Sequence, residues 1–323
     1  MIATILWLGL FGVSQFFLNS PTVSAASIAV VPTVQESGTK VTLLDTFFLN
    51  SEKGWAVGAG GMILRTQDGG KKWKRVPRRT AALMTSILFA NDQLGWATGQ
   101  NGTILHSKDG GQQWLPQDSG TALPLYGVQF LDSSHGWVVG GRGTIIHTLD
   151  GGMTWVDQSS GTNADLFGVQ FLDAQRGWVV GALGVILATG DGGKHWEKKE
   201  ADSAATFFDV FFTDSDVGWV VGTQGAIFQT LSGGEKWLDR TRPCGSPCIR
   251  PPDLLRVAFT DLRNGWIIGE SGAFLHTADG GFTWVEPELP EPYSMYGLSF
   301  PSAHTGWAVG NHGIIVKFTS SGS

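Results

Sequence analysis

A glycine-tryptophan pair recurs along the sequence, followed each time by another glycine three residues after the tryptophan. Five of the six intervals between successive tryptophans are 41 residues and one is 47. A fixed period near 40 residues with strand-like content is typical of propeller blades. The chain is therefore predicted to hold seven blades, whose tryptophans are Trp55, Trp96, Trp137, Trp178, Trp219, Trp266 and Trp307.

Each copy of the repeat reads as four short strands. In the third copy, strands are predicted over residues 128–130, 137–139 and 144–148, and a fourth begins at Trp155. The 46 glycines and the charged fraction of only 15% suit short strands joined by glycine-rich turns. The predicted fold is all-β: a seven-bladed β-propeller with four antiparallel strands per blade.

A tight turn of the form Thr-x-Asp-Gly-Gly-x-x-Trp is the most regular part of the repeat. Its aspartate can accept hydrogen bonds from turn amides, and its two glycines supply backbone angles that other residues resist. Because every copy belongs to a different blade, these aspartates are interpreted as structural and not as catalytic groups or calcium ligands. They are Asp68, Asp109, Asp150, Asp191 and Asp279, with Ser232 in the fifth copy.

Three histidines also share one repeat position: His106, His147 and His276. They are therefore placed on separate blades and cannot jointly bind a metal. No metal or cofactor is predicted.

The N-terminus is predicted to close the ring. Residues 35–39 match residues 117–121 and 158–162 at offsets of two periods and one. Residues 28–34 are therefore in register with a fourth strand and are expected to pair with residues 314–318. Such a clasp removes the open sheet edges between the last blade and the first.

The first 25 residues resemble an export signal, with an apolar run and a small-x-small ending at Ala25. No Lys or Arg precedes Lys40, so an uncleaved anchor or a mis-assigned start stays open. Residues 26–323 are predicted to form a single exported propeller domain that does not span a membrane. Cys244 and Cys248 are predicted to form a local disulfide, with two free thiols or a metal site as alternatives. The net charge of −6 argues against nucleic acid as a general partner.

Function is expected in the loops that link one blade to the next, because these gather at one mouth of the central channel, opposite the aspartate turns. The fifth loop and its flank are basic through Arg240, Arg242, Arg250 and Arg256, and the first is basic through Arg75, Arg78 and Arg79. The sixth is acidic through Glu286, Glu288 and Glu291. A charge-segregated mouth suits a charged protein segment or an anionic surface. The alternative is that these are ordinary solvated charges.

The motif GWxVG followed by GxIxxTxDGGxxW, repeated over residues 28–318, resembles the photosystem II stability and assembly factor family. Its turn resembles the Asp-box, or bacterial neuraminidase repeat. The resemblance implies a monomeric, non-enzymatic scaffold in the periplasm or thylakoid lumen, which binds newly made membrane-complex subunits through a patch of arginines. The arginines of the fifth loop are the local candidates for that patch.

Two other functions are compatible with the repeat. One is a glycan- or surface-binding propeller, which an exposed aromatic platform at the channel mouth would favour. The other is a sialidase-like glycoside hydrolase, whose need for a tyrosine nucleophile and several converging arginines is poorly met by a chain with only Tyr126, Tyr293 and Tyr296.

Overall fold

The structure, a computed structural model, describes residues 30–77, 79–242 and 250–320. The predicted signal peptide, Arg78, Cys244 and Cys248 lie outside these residues. The described chain forms seven antiparallel sheets, six of four strands and one of three. The inner strands of neighbouring sheets contact each other around a ring, the last against the first. The seven-bladed propeller is confirmed.

Strand β1 (Val30–Gln35) precedes the first blade. The inner strands of blades one to seven are β2 (Leu43–Phe48), β6 (Met84–Phe89), β10 (Leu125–Phe130), β14 (Leu166–Phe171), β18 (Phe207–Phe212), β22 (Leu254–Phe259) and β25 (Met295–Ser302). The second strands are β3 (Gly54–Gly58), β7 (Gly95–Gly99), β11 (Gly136–Gly140), β15 (Gly177–Gly181), β19 (Val217–Gly222), β23 (Gly265–Gly269) and β26 (Thr305–Gly310).

The third strands are β4 (Met62–Thr66), β8 (Ile104–Ser107), β12 (Ile145–Thr148), β16 (Ile186–Thr189), β20 (Ile227–Leu231), β24 (Phe274–Thr277) and β27 (Ile315–Ser320). The outer strands are β5 (Lys74–Arg75), β9 (Leu115–Gln117), β13 (Val156–Asp157), β17 (Glu197–Lys199) and β21 (Trp237–Asp239). Short 3-10 turns lie between second and third strands at Ala59–Gly61, Gly141–Gly143, Thr223–Gly225, Glu270–Gly272 and Asn311–Gly313. No helix among the described residues has the length and apolar character needed to cross a membrane.

The glycine-tryptophan pair is explained by aromatic packing between blades. A Cβ on Gly54 would lie 2.4 Å from the ring of Phe48, so only glycine fits beside the phenylalanine that ends the inner strand. Trp55 then stacks on Phe89 of the next blade with ring centroids 3.6 Å apart. The same stack joins Trp307 of the last blade to Phe48 of the first, also at 3.6 Å.

The N-terminal strand closes the ring as predicted. β1 pairs antiparallel with β27, in a register that sets Thr33 opposite Lys317 and Gln35 opposite Ile315. β1 is thus the outer strand of the seventh blade, although it precedes the first blade in the sequence.

The outer strands of the first five blades are only two or three residues long, and in most of these blades they begin one residue after the turn tryptophan, at which the sequence predicted their start. In the sixth blade, the described residues retain only one bridge at this position, between His276 and Val285. In the fifth blade, by contrast, the Arg240 N–H donates to the Ile227 carbonyl at 2.8 Å. The matching residue of the sixth blade is Pro287, which has no N–H to donate, so the strand cannot continue.

The propeller has two distinct faces. On the first, each aspartate turn packs beside the turn between inner and second strands, as the Gly69 N–H donates to the Glu52 carbonyl at 2.9 Å. On the second, each 3-10 turn packs against a linker between blades. In the first blade, for example, the Gly61 N–H donates to the Ala82 carbonyl at 2.8 Å. We refer to these as the turn face and the linker face.

Candidate functional site at the channel mouth

The aspartate turns are held by internal hydrogen bonds. In the first blade, Asp68 Oδ1 accepts from the Lys72 N–H and the Thr66 hydroxyl, both at 2.9 Å, and the Thr66 hydroxyl accepts from the Gly70 N–H at 2.9 Å. Ser232 Oγ accepts from the Lys236 N–H at 3.0 Å in the fifth blade. Backbone N–H donors lower the pKa of Asp150 and Asp191 to about 2. In the first and fifth blades the aspartate or serine thus serves as a hydrogen-bond acceptor within its own turn.

The three repeat-position histidines lie flat on their own blade's tryptophan. His106 stacks on Trp96 with ring centroids 4.7 Å apart, and His147 stacks on Trp137 at 4.5 Å. Burial lowers the pKa of His106 and His276 to about 4, so both are neutral near pH 7. The described residues contain no group of three or more His, Cys, Asp or Glu side chains arranged to hold a metal ion.

The arginines of the fifth linker occupy three different environments. Arg256 lies on inner strand β22, lines the central channel and donates from Nη1 to the Leu255 carbonyl at 2.9 Å. Arg250 is exposed and pairs with Asp253 at 3.2 Å. Arg242 is exposed and pairs with Glu286 at 3.0 Å, so the basic fifth linker and the acidic sixth linker meet in an ion pair.

Arg240 is part of the packing between the fifth and sixth blades. Its Nε donates to Gln229 Oε1 at 3.1 Å, and its guanidinium lies 5.2 Å from the centroid of the Phe282 ring. At this repeat position, Gln117 and Gln158 each donate from Nε2 to a carbonyl of the next aspartate turn, at 2.9 Å. In the fifth blade Gln229 makes the corresponding bond, to Gly280 at 3.1 Å, and Arg240 supports it.

The basic residues of the first linker lie elsewhere. Arg75 is exposed on outer strand β5, and Arg79 is exposed in the linker itself. The first linker enters the second blade and the fifth linker enters the sixth blade. Along the shorter path around the ring, the linkers that enter the seventh and first blades separate them. The structure therefore does not bring the two arginine groups into one patch.

A collar of side chains surrounds the channel at its linker end, and sequence reasoning did not anticipate it. It is formed by the second residue of each inner strand: Leu44, Thr85, Tyr126, Phe167, Phe208, Leu255 and Tyr296. These residues and Arg256 line an open cavity of about 160 Å³. Tyr126 and Phe167 have ring centroids 5.0 Å apart, and Phe167 and Phe208 are 5.5 Å apart.

A β-bulge at the same place in all seven blades positions the collar. The register between inner and second strands shifts at each collar residue, for example between Leu125 and Gly127 around Tyr126. A bulge leaves one residue unpaired and redirects its side chain. The signal in the sequence is the bulky pair Leu125-Tyr126, which breaks the alternation expected of a half-buried strand.

A charged layer lies next to the collar, in which Asp45 is buried and Asp209 and Arg256 are half-buried. Asp45 and Asp209 occupy the next repeat position, which Arg256 also occupies in the sixth blade. Asp45 Oδ2 accepts from the Ile87 N–H at 2.9 Å, and Asp209 Oδ2 accepts from the Val257 N–H at 3.0 Å, so each carboxylate joins two adjacent blades.

Burial dominates the titration of both carboxyl groups. It raises the pKa of Asp209 to about 6 and also raises the pKa of Asp45, against the opposing effect of the Arg256 charge. The mouth therefore combines aromatic and aliphatic surface with one guanidinium backed by two carboxyl groups. Such a site can hold an extended segment by apolar contact and anchor an acidic group at Arg256.

Comparisons with known proteins agree with this architecture. The family model described as photosynthesis system II assembly factor YCF48 matches residues 29–125, 116–200, 200–284 and 249–323. The chain belongs to the YCF48 family. The resemblance inferred from the repeat is thereby confirmed. A search of curated protein sequences found no match.

Solved structures similar to this YCF48 family member share its fold. A structure titled "YCF48 bound to D1 peptide" has a TM-score of 0.73 and 22% identity, covering 90% of this chain and 95% of that one. YCF48 from Cyanidioschyzon merolae has a TM-score of 0.72 and 21% identity, covering 89% and 98%. Virginiamycin B lyase from Staphylococcus aureus, an enzyme, has a TM-score of 0.75 and 14% identity, covering 91% and 99%.

Proposed function

We propose that this protein is a non-enzymatic, exported assembly factor that binds segments of membrane-complex subunits. The family match over nearly the whole chain carries the proposal. A structurally similar YCF48 is bound to a D1 peptide, which supports a peptide as the ligand class. The proposal includes a monomeric propeller in the periplasm or thylakoid lumen.

The binding surface we propose is the linker face around the channel mouth. Arg256, Arg250 and Arg242 supply guanidinium groups there, and the collar supplies apolar surface. Arg250 is already paired with Asp253, and Arg242 is already paired with Glu286. The Arg242–Glu286 pair is exposed on both sides, and such a pair contributes only about 0–1 kcal/mol, so an acidic segment of a partner can replace Glu286 at little cost. Arg240 contributes by holding the sixth blade in place.

The test compares linker-face variants for binding of a synthetic D1 peptide and for retention of subunits from solubilised membranes. The double variant R242E/R250E and the single variant R256Q are each expected to weaken peptide binding by about tenfold or more, since interfacial charge pairs carry this much free energy. The control K108E/R263E reverses two exposed charges on the turn face and is expected to bind within about twofold of the wild type. Equal loss in all variants, or in none, would overturn the arginine site.

The aromatic collar favours a second candidate function, glycan binding, because aromatic rings at a channel mouth can stack on sugar rings. Tyr126 and Tyr296 add hydroxyl groups to that surface. A glycan array distinguishes the two functions: the assembly-factor proposal expects no bound glycan, whereas a glycan ligand lost in Y126A would favour the lectin-like alternative. A fluorogenic sialoside assay tests the hydrolase alternative, for which we expect no turnover.

The signal peptide over residues 1–25 and the Cys244–Cys248 disulfide are parts of the same proposal. Both suit an exported chain. N-terminal sequencing of the mature protein tests cleavage after Ala25. Intact mass with and without reductant tests the disulfide, since its reduction adds two hydrogens.

A further inference from the structure

One interface between blades carries a much larger pocket than an equivalent interface elsewhere in the ring. It lies on the turn face between the fourth and fifth blades, has a volume of about 540 Å³, and includes Trp178, Ala188 and Glu235 in its lining. The equivalent site between the first and second blades is lined by Trp55, Arg65 and Gln112 and measures only about 110 Å³.

The difference follows from one repeat position on the third strand, directly opposite the tryptophan of the second strand. Other blades place a long or planar side chain there: Arg65, His106, His147, Gln229, His276 and Lys317. His147 stacks on Trp137 with ring centroids 4.5 Å apart, and Lys317 Nζ lies 5.0 Å from the centroid of the Trp307 ring. In the fourth blade this position is Ala188, paired with Trp178.

Trp178 is otherwise fixed like its counterparts. One face stacks on Phe212 with ring centroids 3.7 Å apart, and its Nε1 donates to the Gly233 carbonyl at 3.0 Å. Among the described residues, no aromatic or cationic side chain stacks on the opposite face as His147 and Lys317 stack on their own tryptophans. The small side chain of Ala188 therefore leaves a slot beside the Trp178 indole, at the position where most other blades hold an imidazole or a cationic side chain.

The walls of the slot are acidic in a way that the neighbouring interface is not. Glu197 and Glu235 line it, whereas the matching residues between the third and fourth blades are Val156 and Lys194. Lys199 Nζ holds both glutamates, at 3.1 Å and 2.6 Å. Asp191, the turn aspartate of the fourth blade, also lines the slot and is paired with His195 at 2.6 Å. Arg176 lines it as well, with its guanidinium paired to Asp173 at 2.8 Å, so Glu197 and Glu235 are the carboxylates that a bound cation would meet.

We propose that this slot binds an arginine or lysine side chain presented by a partner protein. The cation lies over the free face of Trp178, as Lys317 lies over Trp307 within this chain, and the carboxylates of Glu197 and Glu235 face its charge. The slot is on the turn face, so it is separate from the acidic-segment site proposed at the channel mouth. Together the two sites would let one propeller contact two differently charged segments.

The test follows the indole N–H signal of Trp178 by NMR, assigned by its loss in W178F, during titration with blocked tripeptides. Gly-Arg-Gly and Gly-Lys-Gly are expected to shift this signal, whereas Gly-citrulline-Gly, which has a similar shape without the charge, is expected to bind at least about fivefold more weakly. Equal binding of the citrulline peptide would overturn recognition of a cation. Spermidine binding tighter than either peptide would overturn a protein segment as the ligand.

The repeat itself supplies matched variants. A188H places in the slot the residue found in three other blades, so the fold is preserved and peptide binding is expected to fall by about tenfold or more. K199Q introduces the glutamine of the second and third blades, frees the two glutamates and is expected to tighten binding severalfold. H147A opens a slot without the glutamate walls and is expected not to gain comparable affinity. Unchanged binding in A188H, or weakened binding in K199Q, would overturn the proposal.

Discussion

Asp209 shows how one half-buried carboxyl group can contribute to the pH dependence of stability. Burial raises its pKa to about 6 in the folded chain, against an ordinary value of 3.8. The folded protein therefore takes up this proton at a higher pH than the unfolded chain does. The resulting stabilisation is complete below pH 3.8 and is lost as the pH rises through about 6, the opposite of the usual carboxylate.

We predict that D209N removes this dependence. The amide oxygen can still accept from the Val257 N–H, while the charge that is costly to bury above pH 6 is gone. We compare the free energy of unfolding of D209N with that of the wild type at each pH. The difference should favour D209N more at pH 7.5 than at pH 4, by on the order of 2–3 kcal/mol. Urea denaturation at both pH values measures it. The exposed control D157N should change little between them, and an equal shift in both variants would contradict the prediction.

Leu183 adopts a left-handed backbone conformation, which is unfavourable for leucine. Its φ is +59°, in the left-handed region, and its side chain is 76% exposed at the linker face. The same turn position is Gly60 in the first blade and Asn101 in the second. Both residue types tolerate this conformation, which costs most others about 1–2 kcal/mol.

We predict that L183N raises the free energy of unfolding by about 0.5–1 kcal/mol, because asparagine adopts the left-handed region more readily. L183A serves as the control, since it removes the exposed side chain but keeps the unfavourable backbone. Chemical denaturation distinguishes them. A gain in both variants would attribute the effect to the leucine side chain and not to the backbone.

At the scale of the strand, the sequence predicted the turns and aromatic positions well but did not predict which side chains line the channel. The glycine-tryptophan pairs and the aspartate turns could be placed from the repeat alone, since their residue types dictate local geometry. The collar could not be foreseen, because Tyr126 faces the channel only through a bulge that breaks the alternation of β10. The slot at Ala188 could not be predicted either, because the sequence does not show which face of Trp178 stacks on Phe212 and which face Ala188 leaves uncovered.

The close approach of Gly136 to Phe130 gives a sharp prediction about one blade. A Cβ at Gly136 would lie 2.5 Å from the Phe130 ring, which is itself stacked on Trp96. G136A should therefore destabilise the protein by about 1–3 kcal/mol or more through overpacking. Thermal unfolding measures the loss. G190A is the control, because a Cβ there meets nothing within 4 Å. Partial rescue in F130L/G136A is expected, and its absence would contradict the steric cause.

At the scale of the whole molecule, the ring depends on a pairing between strands at opposite ends of the described chain. β1 supplies the seventh blade with its outer strand, and Gln35 Nε2 also donates to the Gly69 carbonyl of the first blade at 2.9 Å. The aromatic stack of Trp307 on Phe48 joins the same two blades from the inside. Closure thus has an inner aromatic contact and an outer strand.

We predict that the outer strand contributes most to closure. A chain beginning at Val30 keeps β1, whereas one beginning at Glu36 exposes the edge of β27, which can then pair with another copy. The shorter chain should lose roughly 10 °C in melting temperature and form dimers or larger species in light scattering. The sixth blade, whose described residues keep a single outer bridge, shows that an outer strand can be weak where both neighbouring blades are covalently continuous. Equal melting temperatures for the two chains would mean that the Trp307 stack alone closes the ring.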